Sequence, residues 1–160
     1  MQTMALSEVL EREHRDIDGG IEEYSAGLTH GDTDTTPLLR AMNGLRRHIY
    51  LEEEFLFPHL KNAGLAMPIF VMMREHGELW DAMETLDTLL ADNTDTGTLQ
   101  SACRELLAKL DNHNSKEEPI IYPQADTVLD DAATEKLHDY LNTGRMPHGW
   151  RCEKATSVTA

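Results

Sequence analysis

The sequence predicts an all-α protein: an antiparallel up-down four-helix bundle with a short additional C-terminal helix and an irregular tail. Apolar residues recur at alternating steps of three and four over four long segments, which is the period of one helix face. Short polar loops separate these segments, and short loops between helices produce antiparallel neighbours. No segment shows the strict alternation of apolar and polar residues that predicts a β-strand.

The first predicted helix covers about residues 4–29. Its buried stripe consists of Leu10, His14, Ile17, Ile21, Tyr24 and Leu28. Gly19 and Gly20 each weaken a helix by ~1 kcal/mol relative to alanine, so the sequence allows a bend between them. The turn-rich stretch GDTDTT at 31–36 separates this helix from the next.

The second predicted helix begins near Thr36 or Pro37, because proline is tolerated in the first turn, and it ends near residues 62–64. Its stripe consists of Leu38, Met42, Leu45, His48, Glu52, Phe55 and His59. The third helix covers about 66–91, and its stripe consists of Met72, His76, Leu79, Met83, Leu86 and Leu90. Histidine and glutamate therefore share the buried faces with leucine and methionine.

The loop DNTDTG at 92–97 leads into a fourth helix over about 98–125, and a shorter helix covers about 129–142. The fourth stripe consists of Leu99, Ala102, Leu106, Leu110, His113, Glu117 and Ile120. A proline inside a helix costs ~3 kcal/mol and kinks or ends it. We therefore expect the second and fourth helices to bend or break near their prolines, which are Pro58, Pro119 and Pro123.

The length of 160 residues suits one domain with one core, and 40% of the residues are hydrophobic. We expect this domain to cover residues 1–143, with an internal repeat over about 5–62 and 67–127. Residues 144–160 have no helical period, so we expect a tail that is partly disordered. The sequence does not decide between a monomer and a homodimer.

The net charge of −15 argues against nucleic acid and anionic membrane as partners, because both require clustered Lys and Arg. No run approaches the ~18 apolar residues that span a bilayer. The first residues, MQTMALSEVLEREH, lack the basic and apolar regions of a signal peptide. Two cysteines do not form a disulfide framework, so we expect a cytoplasmic protein.

Two stretches of the chain follow one plan at an offset of 65 residues. HIYLEEEFLFP at 48–58 aligns with HNSKEEPIIYP at 113–123, histidine with histidine and glutamate with glutamate. REH at 12–14 aligns with REH at 74–76, at an offset of 62. The sequence therefore predicts two copies of one unit, each a helix with Glu-His followed by a helix with His-x3-Glu-x5-Pro.

The spacing within each copy indicates a metal site. Residues at i and i+4 lie one helical turn apart on one face, so His48 with Glu52, and His113 with Glu117, point the same way. The candidate metal ligands are His14, His48, Glu52, His76, His113 and Glu117. Six such groups in an apolar core are costly unless a cation satisfies them. Two divalent metals bridged by the two glutamates would do so, and this donor set favours iron over manganese or zinc. The alternative is a bundle with His–Glu hydrogen bonds and no metal.

These motifs resemble the hemerythrin-like (HHE cation-binding) family of four-helix-bundle non-haem di-iron proteins. The matching stretches are REH at 12–14, HIYLEEEFLFP at 48–58, REH at 74–76 and HNSKEEPIIYP at 113–123. The resemblance implies that the six candidates bind two iron ions in an oxo- or hydroxo-bridged pair, with both glutamates bridging. Zinc or manganese can substitute in such a site.

The sequence departs from the oxygen-carrying hemerythrins, which use five histidines and two carboxylates. Their third helix has two histidines four apart, whereas Met72 and Trp80 flank His76 at that distance here. The set of four histidines and two glutamates is similar to bacterial di-iron proteins linked to iron–sulfur cluster repair and nitrosative stress. One histidine fewer predicts a more open iron pair, so we expect reaction with oxygen, peroxide or nitric oxide rather than oxygen carriage.

The resemblance also implies an alternative function, a module that senses iron or oxygen or stores iron without turnover. Whether the protein is an enzyme is left open, because we find no catalytic residue apart from the metal ligands. The serines have no Ser–His–Asp context, and no glycine-rich phosphate loop is present.

The residues near the candidate ligands have simpler expected roles. Glu53 and Glu118 point about 100° away from the ligand glutamates on an ideal helix, so we expect them to be solvated or to pair with Lys or Arg on the helix surface. Glu13 and Glu75 suit equally a surface position and a hydrogen bond to a ligand imidazole. We expect His59 to lie on the surface or at the rim of the site, with an extra metal ligand or a proton relay as the alternative.

Trp80 and Tyr122 are expected to pack in the core, with a place in the wall of the metal pocket as the alternative. Cys103 lies near a core stripe and is expected to be inert. Cys152 is expected to be a free cysteine in a loose tail, with redox or nitric-oxide chemistry near the metals as the alternative.

Overall fold

The computed structural model describes residues 4–156, and every regular element in that range is a helix. The four long helices are α1 (Leu6–Thr29), α2 (Thr36–Leu51), α4 (Ala66–Ala91) and α5 (Thr96–Lys116). The three shorter helices are α3 (Phe57–Leu60), α6 (Tyr122–Val128) and α7 (Asp131–Thr143). The predicted all-α class with four long helices is confirmed, and so is the short helix after the fourth.

The four long helices pack around a common core. α1 lies against α2 and α5, α4 lies against α5, and α2 also meets α4. Gly20 lets α1 approach α2 closely, because a Cβ there would lie 2.7 Å from the carbonyl oxygen of Pro37 and 2.8 Å from Cβ of Ala41. α1 continues as one helix through Gly19 and Gly20, so the glycines cause no break.

The two helices that contain the His-x3-Glu motif widen into π-helical turns near their prolines, with Pro119 inside the second turn and Pro58 and Pro123 just after the turns. The turns are Glu52–Leu56 and Glu117–Ile121, and each is followed by a short helix with proline in its first turn. Proline has no N–H to donate, and the extra residue in a π-helical turn lets the chain pass it without stopping. The bend or break predicted near the prolines therefore takes this form.

A third π-helical turn, Lys61–Leu65, contains a kink at Gly64. Gly64 has a φ of +97°, which residues with a side chain rarely adopt. This turn lies within the helical stretch Thr36–Ala91, which by length and composition alone is apolar enough to cross a membrane. Its most apolar 18-residue window has a mean hydropathy of 1.2, and 28% of that window is buried. Core helices of soluble proteins meet the same criterion, and the turn at Gly64 divides the stretch.

The core consists of two apolar clusters. The first lies between the four long helices and includes Ile21, Met42, Met83 and Leu106. The second surrounds α3, α6 and the start of α1, and includes Leu10, Leu56 and Tyr122. Along the chain, each candidate ligand lies between residues of the first cluster and residues of the second.

The described part of the C-terminal tail packs on the bundle. The Trp150 ring lies 5.1 Å from Tyr50 and 5.5 Å from Trp80, measured between ring centroids, and Cys152 is only 4% exposed. The tail is irregular as predicted, but the expectation of a loose tail around Cys152 is wrong. Its aromatic and apolar side chains cover α4, which periodicity alone does not indicate. Residues 157–160, which belong to the predicted tail, lie outside the described residues.

Candidate metal centre

Six buried polar side chains meet between the two apolar clusters, and each is at most 3% exposed. They are the six sequence-predicted ligands: His14, His48, Glu52, His76, His113 and Glu117. One comes from α1, one from α2, one from α4 and one from α5, and the two glutamates open the π-helical turns. Ionisable groups in such a place need compensating partners, because burial of an uncompensated charge is very costly.

The six residues form two overlapping sets, and within each set the ligand atoms lie within 4.8 Å of one another. Site 1 consists of His14, His48, Glu52 and Glu117. Site 2 consists of Glu52, His76, His113 and Glu117. Each site thus draws one histidine from a Glu-His motif and one from a His-x3-Glu motif, and the two glutamates belong to both sites.

Each shared glutamate divides its two oxygens between the sites. Oε2 of Glu52 lies 3.3 Å from Nε2 of His48 in site 1, and Oε1 lies 3.0 Å from Nε2 of His76 in site 2. Oε1 of Glu117 lies 3.1 Å from Nε2 of His14 in site 1, and Oε2 lies 3.3 Å from Nε2 of His113 in site 2. One oxygen per site is the geometry of a bridging carboxylate.

Two of these carboxylate oxygens indicate that the six side chains are suited to bind metal cations. Oε1 of Glu52 and Oε2 of Glu117 are buried and have no hydrogen-bond partner among residues 4–156. The imidazole nitrogens nearby are within ion-pair distance, but their angles are not those of hydrogen bonds. Buried carboxylate oxygens are rarely left without a partner, so these residues are suited to hold metal ions.

Each of the four imidazoles has a carboxylate on the nitrogen that faces away from the centre. The Nδ1 contacts are His14 to Glu118 at 2.8 Å, His48 to Glu13 at 2.7 Å, His76 to Glu53 at 2.8 Å and His113 to Glu75 at 2.9 Å. An ionised carboxylate can only accept, so Nδ1 donates to it, and Nε2 is the nitrogen that faces the centre and can bind a metal. This fixes the tautomer that a metal-binding histidine requires.

The expectation that Glu53 is solvated is therefore wrong, and for Glu118 it holds only in part. The Glu53 side chain is 3% exposed and the Glu118 side chain is 36% exposed, and each accepts from an imidazole of another helix. The expectation assumed the 100° step of an α-helix, whereas both residues lie in π-helical turns that change this step.

For Glu13 and Glu75, the hydrogen bond to a ligand imidazole is the alternative that the structure shows. Each also has a basic partner. NH1 of Arg47 lies 3.4 Å from Oε2 of Glu13, and Nζ of Lys116 contacts Oε2 of Glu75. These cations stabilise the ionised carboxylates that hold the imidazoles in place.

Tyr122 occupies a position that the sequence did not favour for it. Its hydroxyl oxygen lies 2.7 Å from Nε2 of His14, 2.9 Å from Nε2 of His48, 2.7 Å from Oε2 of Glu52 and 2.8 Å from Oε1 of Glu117. The residue at the same place in the other copy of the repeat is Phe57, whose ring stacks on His76 with centroids 5.3 Å apart. The hydroxyl is therefore a feature of site 1, and its sequence signal is the Phe-to-Tyr difference between the two copies.

The charges within the centre determine its protonation against the effect of burial. Burial alone would raise the pKa of Glu117, but His113 and His14 hold it well below its ordinary value. Burial alone would lower the pKa of His113, but Glu117 and then Glu75 raise it to about 10. Burial and the two carboxylates raise the pKa of Tyr122 well above its ordinary value, so the phenol keeps its proton.

The remaining predicted residues lie as follows. His59 is exposed, and Trp80 packs in the core, both as expected. Burial raises the pKa of Cys103 to about 11, which agrees with the expected inert thiol. Burial also raises the pKa of Cys152, to about 12, and its Sγ lies 3.6 Å from the carbonyl oxygen of His76.

Residues 5–125 of the chain match the family model described as the Hemerythrin HHE cation binding domain. The chain is also 31% identical over 111 residues to a probable iron-sulfur cluster repair protein of Haemophilus influenzae. That alignment covers 59% of this chain and 50% of the relative, so the chain spans about half the length of the curated relative that it matches. No solved structure matches the chain.

Proposed function

The chain belongs to the hemerythrin HHE cation-binding family, and on that premise we propose that it is a non-haem di-iron protein that reacts with oxygen, peroxide or nitric oxide. The observation that supports this proposal most directly is the pair of overlapping sites that share two carboxylates. Such a centre is suited to small molecules, since its six side chains are buried and leave little space between them.

The proposed iron ligands are His14, His48, Glu52, His76, His113 and Glu117. Each iron would receive two imidazole nitrogens and one oxygen from each bridging glutamate, which leaves coordination positions for a small molecule. When bound, the two irons supply the redox and Lewis-acid chemistry. Zinc and manganese accept the same donors and are the expected contaminants of a recombinant sample.

The chain's own residues would orient the ligands, exclude water and hold protons. The outer carboxylates fix each imidazole with its Nε2 lone pair inward. The two apolar clusters enclose the centre from both ends. The Tyr122 hydroxyl keeps a proton within hydrogen-bond distance of four ligand atoms in site 1, and we propose that it donates to the small molecule held there.

The relative, of which the alignment covers half, is named a probable iron-sulfur cluster repair protein, which supports a role in the repair of iron–sulfur clusters or in defence against oxidative and nitrosative stress. These are the conditions under which oxygen, peroxide and nitric oxide attack such clusters. A sensing or iron-storage module without turnover is the alternative, and the same centre would serve it.

We also infer an antiparallel up-down order for the four long helices, from the short connections at 30–35 and 92–95 and from the turn at Gly64 between α2 and α4. The division into a bundle over residues 1–143 and a tail over 144–160 remains a prediction. Two free cysteines fit a reducing compartment, which supports the proposed location in the cytoplasm.

The test is an anaerobic titration of the ferrous protein with nitric oxide, peroxide and oxygen, followed by absorption spectroscopy. We expect new visible bands with at least one of the three, and turnover of peroxide or nitric oxide would separate the proposed function from the alternative. Metal-free protein titrated in the same way is the control for absorption that does not arise from the metals. A ferrous protein whose spectrum responds to none of the three molecules would contradict the proposal.

A further inference from the structure

The last described residues form a strap across the outside of site 2. We define the strap as residues 150–156. At one end, Nε1 of Trp150 donates to Oε1 of Glu54 at 3.3 Å, and the indole ring packs against Trp80. At the other end, the backbone N–H of Thr156 donates to Oδ1 of Asp81 at 3.0 Å. The strap is thus attached to the π-helical turn Glu52–Leu56 at one end and to α4 at the other.

Between these attachments the strap reaches a residue that supports site 2. The backbone N–H of Glu153 donates to Oε1 of Glu53 at 3.1 Å, while Oε2 of Glu53 accepts from Nδ1 of His76 at 2.8 Å. One carboxylate therefore connects the backbone of the strap to an imidazole of site 2. Because the Glu153 N–H binds Oε1 of Glu53, Oε2 of the same carboxylate stays directed at the His76 imidazole.

The helix beneath the strap is adapted to its passage. A Cβ on Gly77 of α4 would lie 2.7 Å from the carbonyl carbon of Lys154 and 3.0 Å from Cβ of Lys154, and would clash with the Lys154 carbonyl oxygen. Glycine inside a helix costs ~1 kcal/mol relative to alanine. Helix stability does not explain glycine at this position, whereas the close crossing of the strap does.

The other copy of the repeat provides the contrast. Glu118 occupies the position in site 1 that Glu53 occupies in site 2, and it accepts from His14 in the same way. Its side chain is 36% exposed, against 3% for Glu53. Water therefore reaches the Glu118 carboxylate beside site 1, while the strap covers the Glu53 carboxylate beside site 2.

We propose that the strap is a positioning element for the metal of site 2, which it retains by holding Glu53 against His76. This inference rests on the proposed di-iron function. Loss of the partner that orients a ligand imidazole typically costs 10–100-fold in metal affinity. Displacement of the strap should therefore speed the release of one of the two irons ~10–100-fold and leave the other unchanged.

The experiment measures iron release from the full-length, anaerobic ferrous protein into excess chelator. Gly77→Ala displaces the strap from below, and Trp150→Ala removes its attachment without touching a ligand. Gly19→Ala is the matched glycine control. Alkylation of Cys152, which is 4% exposed in the intact protein, reports strap opening, and Cys103, which is fully buried, serves as the internal reference.

Both strap variants should show faster alkylation of Cys152 and one accelerated release phase out of two. Glu53→Gln should accelerate the same phase. Addition of Gly77→Ala to Glu53→Gln should then produce little further acceleration, because the strap acts through that carboxylate. Equal acceleration of both phases, or full additivity with Glu53→Gln, would overturn the proposal. A parent protein that binds no iron would instead contradict the proposed function, so the two failures are distinguishable.

Discussion

Site 1 and site 2 arise from two copies of one sequence unit, and they differ in the ring beside them. The outer contact of Glu13 with His48 recurs as that of Glu75 with His113, 62 and 65 residues later along the chain. Tyr122 places a hydroxyl in site 1, whereas the aligned Phe57 stacks an apolar ring on site 2. The repeat therefore produces similar ligands in unlike surroundings, and we expect the two irons to differ in reactivity.

The largest effect should come from the residues that the two sites share. Glu117→Ala removes an oxygen from each site and leaves buried imidazoles without their counter-charge, so we expect both metals to be lost. His113→Ala removes a ligand of site 2 alone and should leave ~1 metal per chain. Metal analysis by mass spectrometry measures both. Equal loss from the two variants would show that the centre binds its metals as one indivisible pair.

Exchange of the two rings is the next test. Tyr122→Phe removes the hydroxyl from site 1 and should slow the reaction with peroxide ~100-fold, the usual effect of a lost proton donor, with the metal content unchanged. Phe57→Tyr is the matched change in site 2. Stopped-flow absorption measures the rates. An unchanged rate in Tyr122→Phe would mean that the hydroxyl has only a structural role in site 1.

The aligned outer carboxylates Glu53 and Glu118 should differ in a smaller but measurable way. Glu53→Gln weakens a buried contact and should lower the metal affinity of site 2 by ~10-fold or more. Glu118→Gln alters a contact that water already reaches, so we expect a smaller change at site 1. Competition with a graded series of chelators gives both affinities. A larger effect for Glu118→Gln would reverse the assigned order of shielding.

The smallest effect concerns pH, and its sign follows from the shifted pKa values. The pKa of His113 is raised from 6.5 to about 10, so its contribution to stability is complete below pH 6.5 and lost as the pH rises toward 10. The pKa of Glu117 is held well below 4.5, so its contribution is complete above pH 4.5 and lost as the pH falls through its lowered pKa.

The metal-free protein should therefore have its highest Tm between about pH 4.5 and 6.5. Metal binding needs deprotonated imidazoles, so metal affinity should increase as the pH rises from 6.5. The difference in Tm between loaded and metal-free protein should then grow with pH, which scanning calorimetry measures. A constant difference between pH 6.5 and 9 would show that no proton leaves when metal binds.

The sequence was sufficient to bring together the six proposed ligands. His-x3-Glu positions are fixed by local helix geometry, and the repeat doubled a signal that a single motif gives weakly. The all-α class followed from the period of the stripes. Local rules describe what lies within one helical turn, and the repeat together with the family resemblance indicated which turns meet.

The features that the sequence missed depend on departures from the ideal helix and on long-range packing. The π-helical turns redirected Glu53 and Glu118 toward imidazoles, which a 100° step does not predict. Tyr122 looked like one more core aromatic, because its hydroxyl finds its partners on three other elements. The tail lacked any period, and its burial follows from individual contacts such as that of Trp150 with Tyr50.

The central claim is that the shared glutamates hold two irons. Its most direct test is the iron content per chain of protein purified from iron-replete cells, together with the ultraviolet–visible spectrum of the same sample. The claim predicts ~2 irons per chain and the near-ultraviolet absorption of a bridged ferric pair. A protein that contains no iron, and whose spectrum does not change on anaerobic ferrous reconstitution, would contradict it.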